Sequence, residues 1–275
     1  MKKKILAFAM VAALAIGTLA GCGSEKPSGD DANAGASAGG ETAMTFTVGF
    51  DAEYPPYGYM DENGEYVGFD LELAEAVCEL EGWEFVAKPI NWDSKDMELD
   101  SGAIDCIWNG FTINGREDKY EWSVPYADNS QVIVVSADSG IASWDDLAGK
   151  KVGVQAASAA LDVLTDEESQ KALGDTFGEL KQFSDYNVAF TELQAGALDA
   201  LAIDIGVANY QIESRGDGYV ILEQHLNSEQ YGVGFKLGNT ELRDIINADL
   251  EKLTEDGTVA ALAEKYGITD SIILE

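Results

Sequence analysis

The sequence predicts an α/β fold built from two units of the same kind. Three observations carry this reading. Short β-branched runs alternate with longer segments of helical spacing, that order occurs twice along the chain, and 46% of the 275 residues are hydrophobic, as a buried core requires. Alternating strands and helices imply mainly parallel sheets, because a parallel pair needs a crossover and a helix usually supplies it.

In the first unit Thr45–Phe50 (TFTVGF) alternates and is β-branched, so it reads as a strand. From Phe69 to Leu80 the residues Leu73, Val77 and Leu80 recur at helical spacing. Glu84–Ala87 then reads as a strand, Asp93–Ser101 as a short helix and Ile104–Trp108 as a strand. Gln131–Ser136 (QVIVVS) is strongly β-branched. After a short capped helix at Trp144–Leu147, the second unit opens with the strand Lys151–Gln155. It continues with a helix from Ala159 to Thr165, a strand at Glu179–Phe183, a helix from Asn187 to Ala195 and a strand at Ala200–Ile203. Strands at Tyr219–Leu222 and Val233–Lys236 follow, then closing helices Glu241–Asp256 and Val259–Tyr266, with Gly257 and Gly267 as stops.

Charge and composition exclude several functions. With 17 Lys and Arg against 50 Asp and Glu the formal charge is −33, which repels phosphate backbones, so no nucleic-acid partner is expected. One histidine (His225) and three cysteines leave no Cys/His cluster for zinc and no Ser-His or Cys-His pair for nucleophilic catalysis, so neither metal nor cofactor is expected. Cys78 and Cys106 read as buried free thiols rather than a disulfide.

The first segment is read as lying outside the fold. Lys2, Lys3 and Lys4 precede an apolar stretch from Ile5 to Ile16, then small residues to Gly21, which is the layout of a secretory signal peptide over residues 1–21. The stretch is short of the roughly 20 apolar residues a membrane span needs. Residues 22–44 are rich in Gly, Ala, Ser and Asp and read as a flexible tether, with a root-mean-square reach on the order of 25 Å. Leu19-Ala20-Gly21-Cys22 resembles the bacterial lipobox, which implies that Cys22 is lipidated (palmitate among its acyl chains) and holds the protein to a membrane.

Gly68-Phe69-Asp70-Leu71-Glu72-Leu73 resembles the signature of the polar amino-acid family (family 3) of substrate-binding proteins of bacterial ABC importers. The resemblance runs from residue 45 to 267. It takes in Tyr54-Pro55-Pro56-Tyr57, Leu99–Asp105, Phe111-Thr112-Ile113 with Arg116, Trp122–Tyr126, Leu198-Asp199-Ala200 with Asp204, and Asp256-Gly257. It implies a two-lobe, type II periplasmic-binding-protein-like fold, with two parallel-rich sheets flanked by helices and joined by two hinge strands. Lobe 1 would be 45–130 plus 231–275 and lobe 2 would be 131–230, with hinges near Ala127–Val132 and Gln230–Val233. Closure of the lobes around a ligand is part of what the resemblance implies.

A free amino acid brings a carboxylate, an ammonium and a side chain, and burying it requires a partner for each charge. Arg116 suits the carboxylate, since a guanidinium offers two parallel charge-assisted bonds, although Thr112–Arg116 is one residue shorter than the usual family spacing. Read without the family, Arg116 is a surface residue of the acidic run Arg116-Glu117-Asp118-Lys119. Gly153–Ala159 follows a strand and opens a helix, so backbone N–H groups around Ala157 and Ser158 face the same carboxylate, and Ser158 also reads as a helix N-cap. Asp204, just past a strand, takes the ammonium by resemblance; in a chain with 50 acids a solvated loop residue is the plain alternative. The resemblance also gives Gly110 a carbonyl for the ammonium and Thr112 a hydroxyl for the carboxylate. Tyr54 and Trp92 match positions whose rings sandwich the ligand side chain, against the alternative of ordinary core aromatics. Asp51, with Asn109 and Gln155, matches positions facing the ligand's distal polar group, and an acid there tilts the expectation toward glutamine or a basic amino acid.

The function expected is capture of a polar amino acid and delivery to an ABC permease and its ATPase, by a monomer anchored on the outer face of the cell membrane. A non-enzyme is expected. The alternatives are a dehydratase-like enzyme on the same scaffold, with Asp51 and Glu53 as acid and base, or an amino-acid sensor.

Overall fold

The structure, a computed structural model, describes residues 44–216 and 218–274. The leader, Cys22 and the tether up to residue 43 lie outside the described residues.

The first part runs β1 (Thr45–Phe50), then the short strands β2 (Glu53–Tyr54), β3 (Gly58–Met60) and β4 (Tyr66–Val67), which form a small antiparallel sheet. Next come α1 (Phe69–Glu81), β5 (Glu84–Pro89), a 3-10 turn at Trp92–Ser94 leading into α2 (Lys95–Asp100), β6 (Cys106–Ile107) and β7 (Glu121–Trp122). α1 buries Phe69, Leu73, Ala74, Val77 and Cys78 and stops where Gly82 turns left-handed (φ 68°). Leu80, expected on the buried stripe, is 46% exposed, and Cys78 takes the buried position in the last turn instead.

β8 (Ala127–Asn129) leads to β9 (Gln131–Ser136), a capped 3-10 turn at Trp144–Leu147, and β10 (Lys151–Gln155). There follow α3 (Ala159–Thr165), α4 (Lys171–Gly174), β11 (Glu179–Phe183), α5 (Tyr186–Gln194), β12 (Ala200–Asp204), α6 (Ile205–Arg215) and β13 (Tyr219–Ile221). The chain returns through β14 (Glu229–Tyr231) to β15 (Gly234–Phe235), α7 (Thr240–Glu255) and α8 (Thr258–Tyr266).

Two five-stranded sheets result, ordered β5-β1-β6-β15-β7 and β11-β10-β12-β9-β13. In each, four strands run one way and one, β15 or β9, runs against them next to the last position, so the sheets are parallel-rich with one reversed strand apiece. The reversed strands are those on which the chain enters each lobe from β8 or β14, with no helix between to set a parallel direction. β8 and β14 pair antiparallel between the sheets, with Asn129 opposite Glu229 and Ala127 opposite Tyr231.

The largest core cluster includes β1 (Phe46, Val48, Phe50), α1, α5 (Tyr186, Phe190) and α7 (Ile246, Leu250) and bridges the lobes through Tyr54, Tyr57 and Tyr231. A second lies beneath the other face of β9, β10 and β12, and a third gathers Trp92, Leu99, Ile107, Phe111 and Tyr120. A fully buried large apolar side chain contributes about 1.5–3 kcal/mol. Cys78 and Cys106 are both buried and free, and burial pushes the Cys78 thiol up to about 12. Among the described residues no helix is long and apolar enough to cross a membrane.

Candidate ligand-binding site

The carboxyl ends of β1, β6, β10 and β12 meet beside the β8/β14 pair, so side chains just past these strands converge between the lobes. Every residue singled out there that carries a polar side chain is buried: Asp51, Asn109, Thr112, Arg116, Gln155, Ser158 and Asp204 are 1–6% exposed.

At one end sit two carboxylates. Asp204 ends β12, and its Oδ1 accepts from Tyr231 Oη (2.6 Å), Gln131 Nε2 (2.7 Å) and Asn129 Nδ2 (2.8 Å). The same two amides donate to Glu229 Oε1, each at 2.8 Å, and Thr112 Oγ1 donates to it at 2.8 Å. Burial, and then the neighbouring Glu229, raises Asp204 to about 6, while the hydroxyls of Tyr231 and Tyr54 and the Gln131 amide pull it back. Two buried acids sharing donors favour a cation beside them. The Thr112 hydroxyl, expected toward a carboxylate, thus donates to the Glu229 carboxylate here.

Cations mark the other end. Arg116 is only 5% exposed despite its short spacing from Thr112, because the chain turns back there with Arg116 N–H bonded to Ile113 O (2.9 Å). Its guanidinium packs 5.4 Å from the Phe111 ring, and Nη2 reaches Asp162 Oδ2 (2.8 Å) and Ala157 O (3.5 Å) in the facing lobe. Ala157 holds a left-handed backbone (φ 55°), a strained state for a residue with a Cβ, and that conformation turns its carbonyl toward the cations. Ser158 caps α3, its Oγ accepting from Leu161 N–H (3.2 Å) and donating to Gln155 O (2.8 Å).

Between these ends lie the aromatic and distal groups. Tyr54 packs against Tyr186 of the other lobe at 6.2 Å between ring centres, and Trp92 stands edge-on to Phe111 at 5.5 Å. Gln155 Nε2 donates across the cleft to Asp51 Oδ2 (2.5 Å), and Asn109 Oδ1 accepts from Asp51 N–H (3.0 Å). Asp51 is raised to about 6, chiefly by burial. Asp51, Glu53, Trp92 and Asp185 line an opening of about 300 Å³. Gly110 reaches into the site with φ 56°; its N–H donates to Asp70 Oδ2 (2.5 Å), and a Cβ there would crowd Tyr54 and Tyr231.

A separate cavity of about 230 Å³ lies behind the crossover strands, lined by Tyr57, Asp128, Gly206, Glu213 and Ser271 among others. Among the described residues no Lys or Arg lines it. Sequence reasoning missed Lys95, Asp162, Asn129, Gln131, Glu229 and Tyr231. For Lys95 the signal existed, since it follows Trp92 by three residues; the others become neighbours only through the fold.

Residues 46–269 match the family described as bacterial extracellular solute-binding proteins, family 3. The chain belongs to this family. It is 30% identical to the L-cystine-binding protein TcyJ of Escherichia coli (strain K12) over 225 residues, 81% of this chain and 82% of that one. It is 31% identical to a probable histidine-binding protein of Neisseria gonorrhoeae over 271 residues, covering 97% and 96% of the two chains. A substrate-binding protein of an ABC uptake transporter from Streptococcus pneumoniae, solved with bound histidine, superposes with a TM-score of 0.76. That pair shares 35% identity over 81% of this chain and 92% of the other.

Proposed function

We propose that this family member is an extracytoplasmic receptor that captures a free polar amino acid between its lobes and hands it to the permease of an ABC importer. One observation carries the reading: buried Arg116 and the buried Asp204–Glu229 pair put opposite charges into one cleft, as a zwitterion requires. The relatives named for cystine and histidine support amino acids as the ligand class.

In this reading Arg116, with the main chain at Ala157 and Ser158, takes the carboxylate. Asp204 and the Gly110 carbonyl take the ammonium, and Tyr54 and Trp92 flank the side chain. Asp51, Asn109 and Gln155 meet its distal group, which favours glutamine or a basic amino acid. The lobes are 45–130 with 231–275, and 131–230, and they hinge at β8 and β14. After removal of a signal peptide over 1–21, a lipid on Cys22 and the tether to residue 44 hold a monomer at the extracytoplasmic face of the cell membrane. No chemical step is required of it, since charge clamps suffice for capture.

A thermal-shift screen of protein refolded to remove carried-over ligand, against the common amino acids and cystine, tests this. A native-state ligand stabilises by roughly 4 kcal/mol at a thousandfold excess over Kd. A shift with one amino acid or a narrow set supports the receptor; no shift with any, or product formed from the added compound, overturns it.

A further inference from the structure

Lys95 is a buried cation at the carboxylate end of the cleft. It opens α2, three residues after Trp92, which places both on one helical face, and its ammonium lies 5.2 Å from the centre of the Trp92 ring. The residue is 5% exposed. Its Nζ bonds two main-chain carbonyls, Trp92 O (3.4 Å) and, in the facing lobe, Ala157 O (3.2 Å). Arg116 Nη2 reaches that same Ala157 oxygen at 3.5 Å. Arg116 also has a carboxylate, Asp162, whereas among the described residues no carboxylate lies within 4.0 Å of Lys95. An ammonium has three donors, and a buried charge left without a counter-charge is costly. Two cations converging on one acceptor are spaced so that one carboxylate can bridge them.

We propose that Lys95 and Arg116 form a two-cation seat for the ligand's α-carboxylate, with the Lys95 ammonium donating to it directly. This rests on the amino-acid reading above. It makes Lys95 a binding residue that selects free carboxylates over α-amides and α-esters. The groups around it set its proton: burial and Arg116, helped by Lys119, bring Lys95 down to about 8, against Asp96 and Asp162, which hold the proton on. Affinity should therefore fall as pH rises past about 8, where the free receptor loses this charge.

The test is titration calorimetry on the full mature chain with L-glutamine, L-arginine, L-histidine and L-cystine, and with the α-amide of whichever binds. Lys95→Met should weaken the free acid on the order of 10- to 100-fold, narrow the preference for acid over α-amide, and reduce the decline above pH 8 to that set by the ligand's own ammonium. Lys95→Arg should restore most of the affinity. Unchanged binding by Lys95→Met, or equal losses for acid and α-amide, would overturn the seat while leaving the receptor reading intact. Failure of the unmutated protein to bind any amino acid would overturn both. If Lys95→Met does not fold, Lys95→Arg decides: its charge persists at high pH, so a decline above pH 8 as steep as that of the unmutated protein, beyond what titration of the ligand's own ammonium accounts for, contradicts the proposal.

Discussion

Asp204 and Glu229 are tied together by two shared donors, the side-chain amides of Asn129 and Gln131, each bonded to one oxygen of both carboxylates at 2.7–2.8 Å. Asp204 closes the central strand of lobe 2 and Glu229 lies on the returning crossover strand, so the pair spans the place where the lobes join. Like charges this close repel, and the amide bridge offsets only part of that repulsion. On the proposed reading an ammonium settling against Asp204 would relieve the rest, so ligand capture and the lobe junction would act on the same atoms.

Replacing Asp204 by Asn should weaken amino-acid binding by about 2–5 kcal/mol, because a buried partner of the ammonium loses its charge. The fold should persist, since the amide retains an acceptor for Tyr231. Calorimetry alongside a circular dichroism melt checks both halves.

Affinity should also fall as pH drops below about 6. Asp204 is raised to about 6 in the ligand-free protein, and an ammonium binds its ionised form, so below that pH binding must release a proton. Titrations near pH 6 in buffers of different ionisation enthalpy read this release directly.

Asp70 controls stability instead. Its Oδ2 accepts from Gly110 N–H (2.5 Å) and Tyr126 Oη (2.8 Å), Oδ1 has no partner among the described residues, and burial raises its pKa from 3.8 to about 7. A folded pKa above the unfolded one means that the contribution is fully present below about pH 3.8 and is lost as pH rises through about 7, by up to about 4 kcal/mol. Asp70→Asn should flatten this part of the denaturation midpoint against pH, whereas Asp70→Ala should cost about 1–3 kcal/mol for each of the two donors left unpaired.

Gly206, at the start of α6 in lobe 2, lies under Tyr57 of lobe 1, where an added Cβ would come 2.4 Å from the hydroxyl. Tyr57 is buried, so its ring must shift toward the cavity it lines with Gly206 before a methyl can fit. Gly206→Ala should hinder lobe closure, weakening ligand binding and enlarging the ligand-bound particle in small-angle scattering. The melting point without ligand should change little.

Much of the fold was legible because its strands are strongly β-branched: Gln131–Ser136 and Lys151–Gln155 fall where the pattern puts them. α6 was not, since it carries Gly206 and Asn209 and buries only Val207, Ala208 and Gln211, leaving no apolar stripe to see. The two- and three-residue strands β2–β4, β7, β8 and β14 are too short for alternation to register. Within the site, residues just past strands or inside a recognised motif were visible. The groups that set their charge were not, because Glu229 meets Asp204, and Asp162 meets Arg116, only after the sheets assemble. The order of the motifs carried the family; the pairing of charges needed the fold.

A crystal structure of the mature protein with the amino acid found by thermal shift tests the central claim most directly. The expected result is a ligand enclosed between the lobes, its carboxylate on Arg116 and its ammonium on Asp204. A ligand seated elsewhere, for instance in the cavity lined by Tyr57, Glu213 and Ser271, or one held in the cleft without touching either charge, would contradict it.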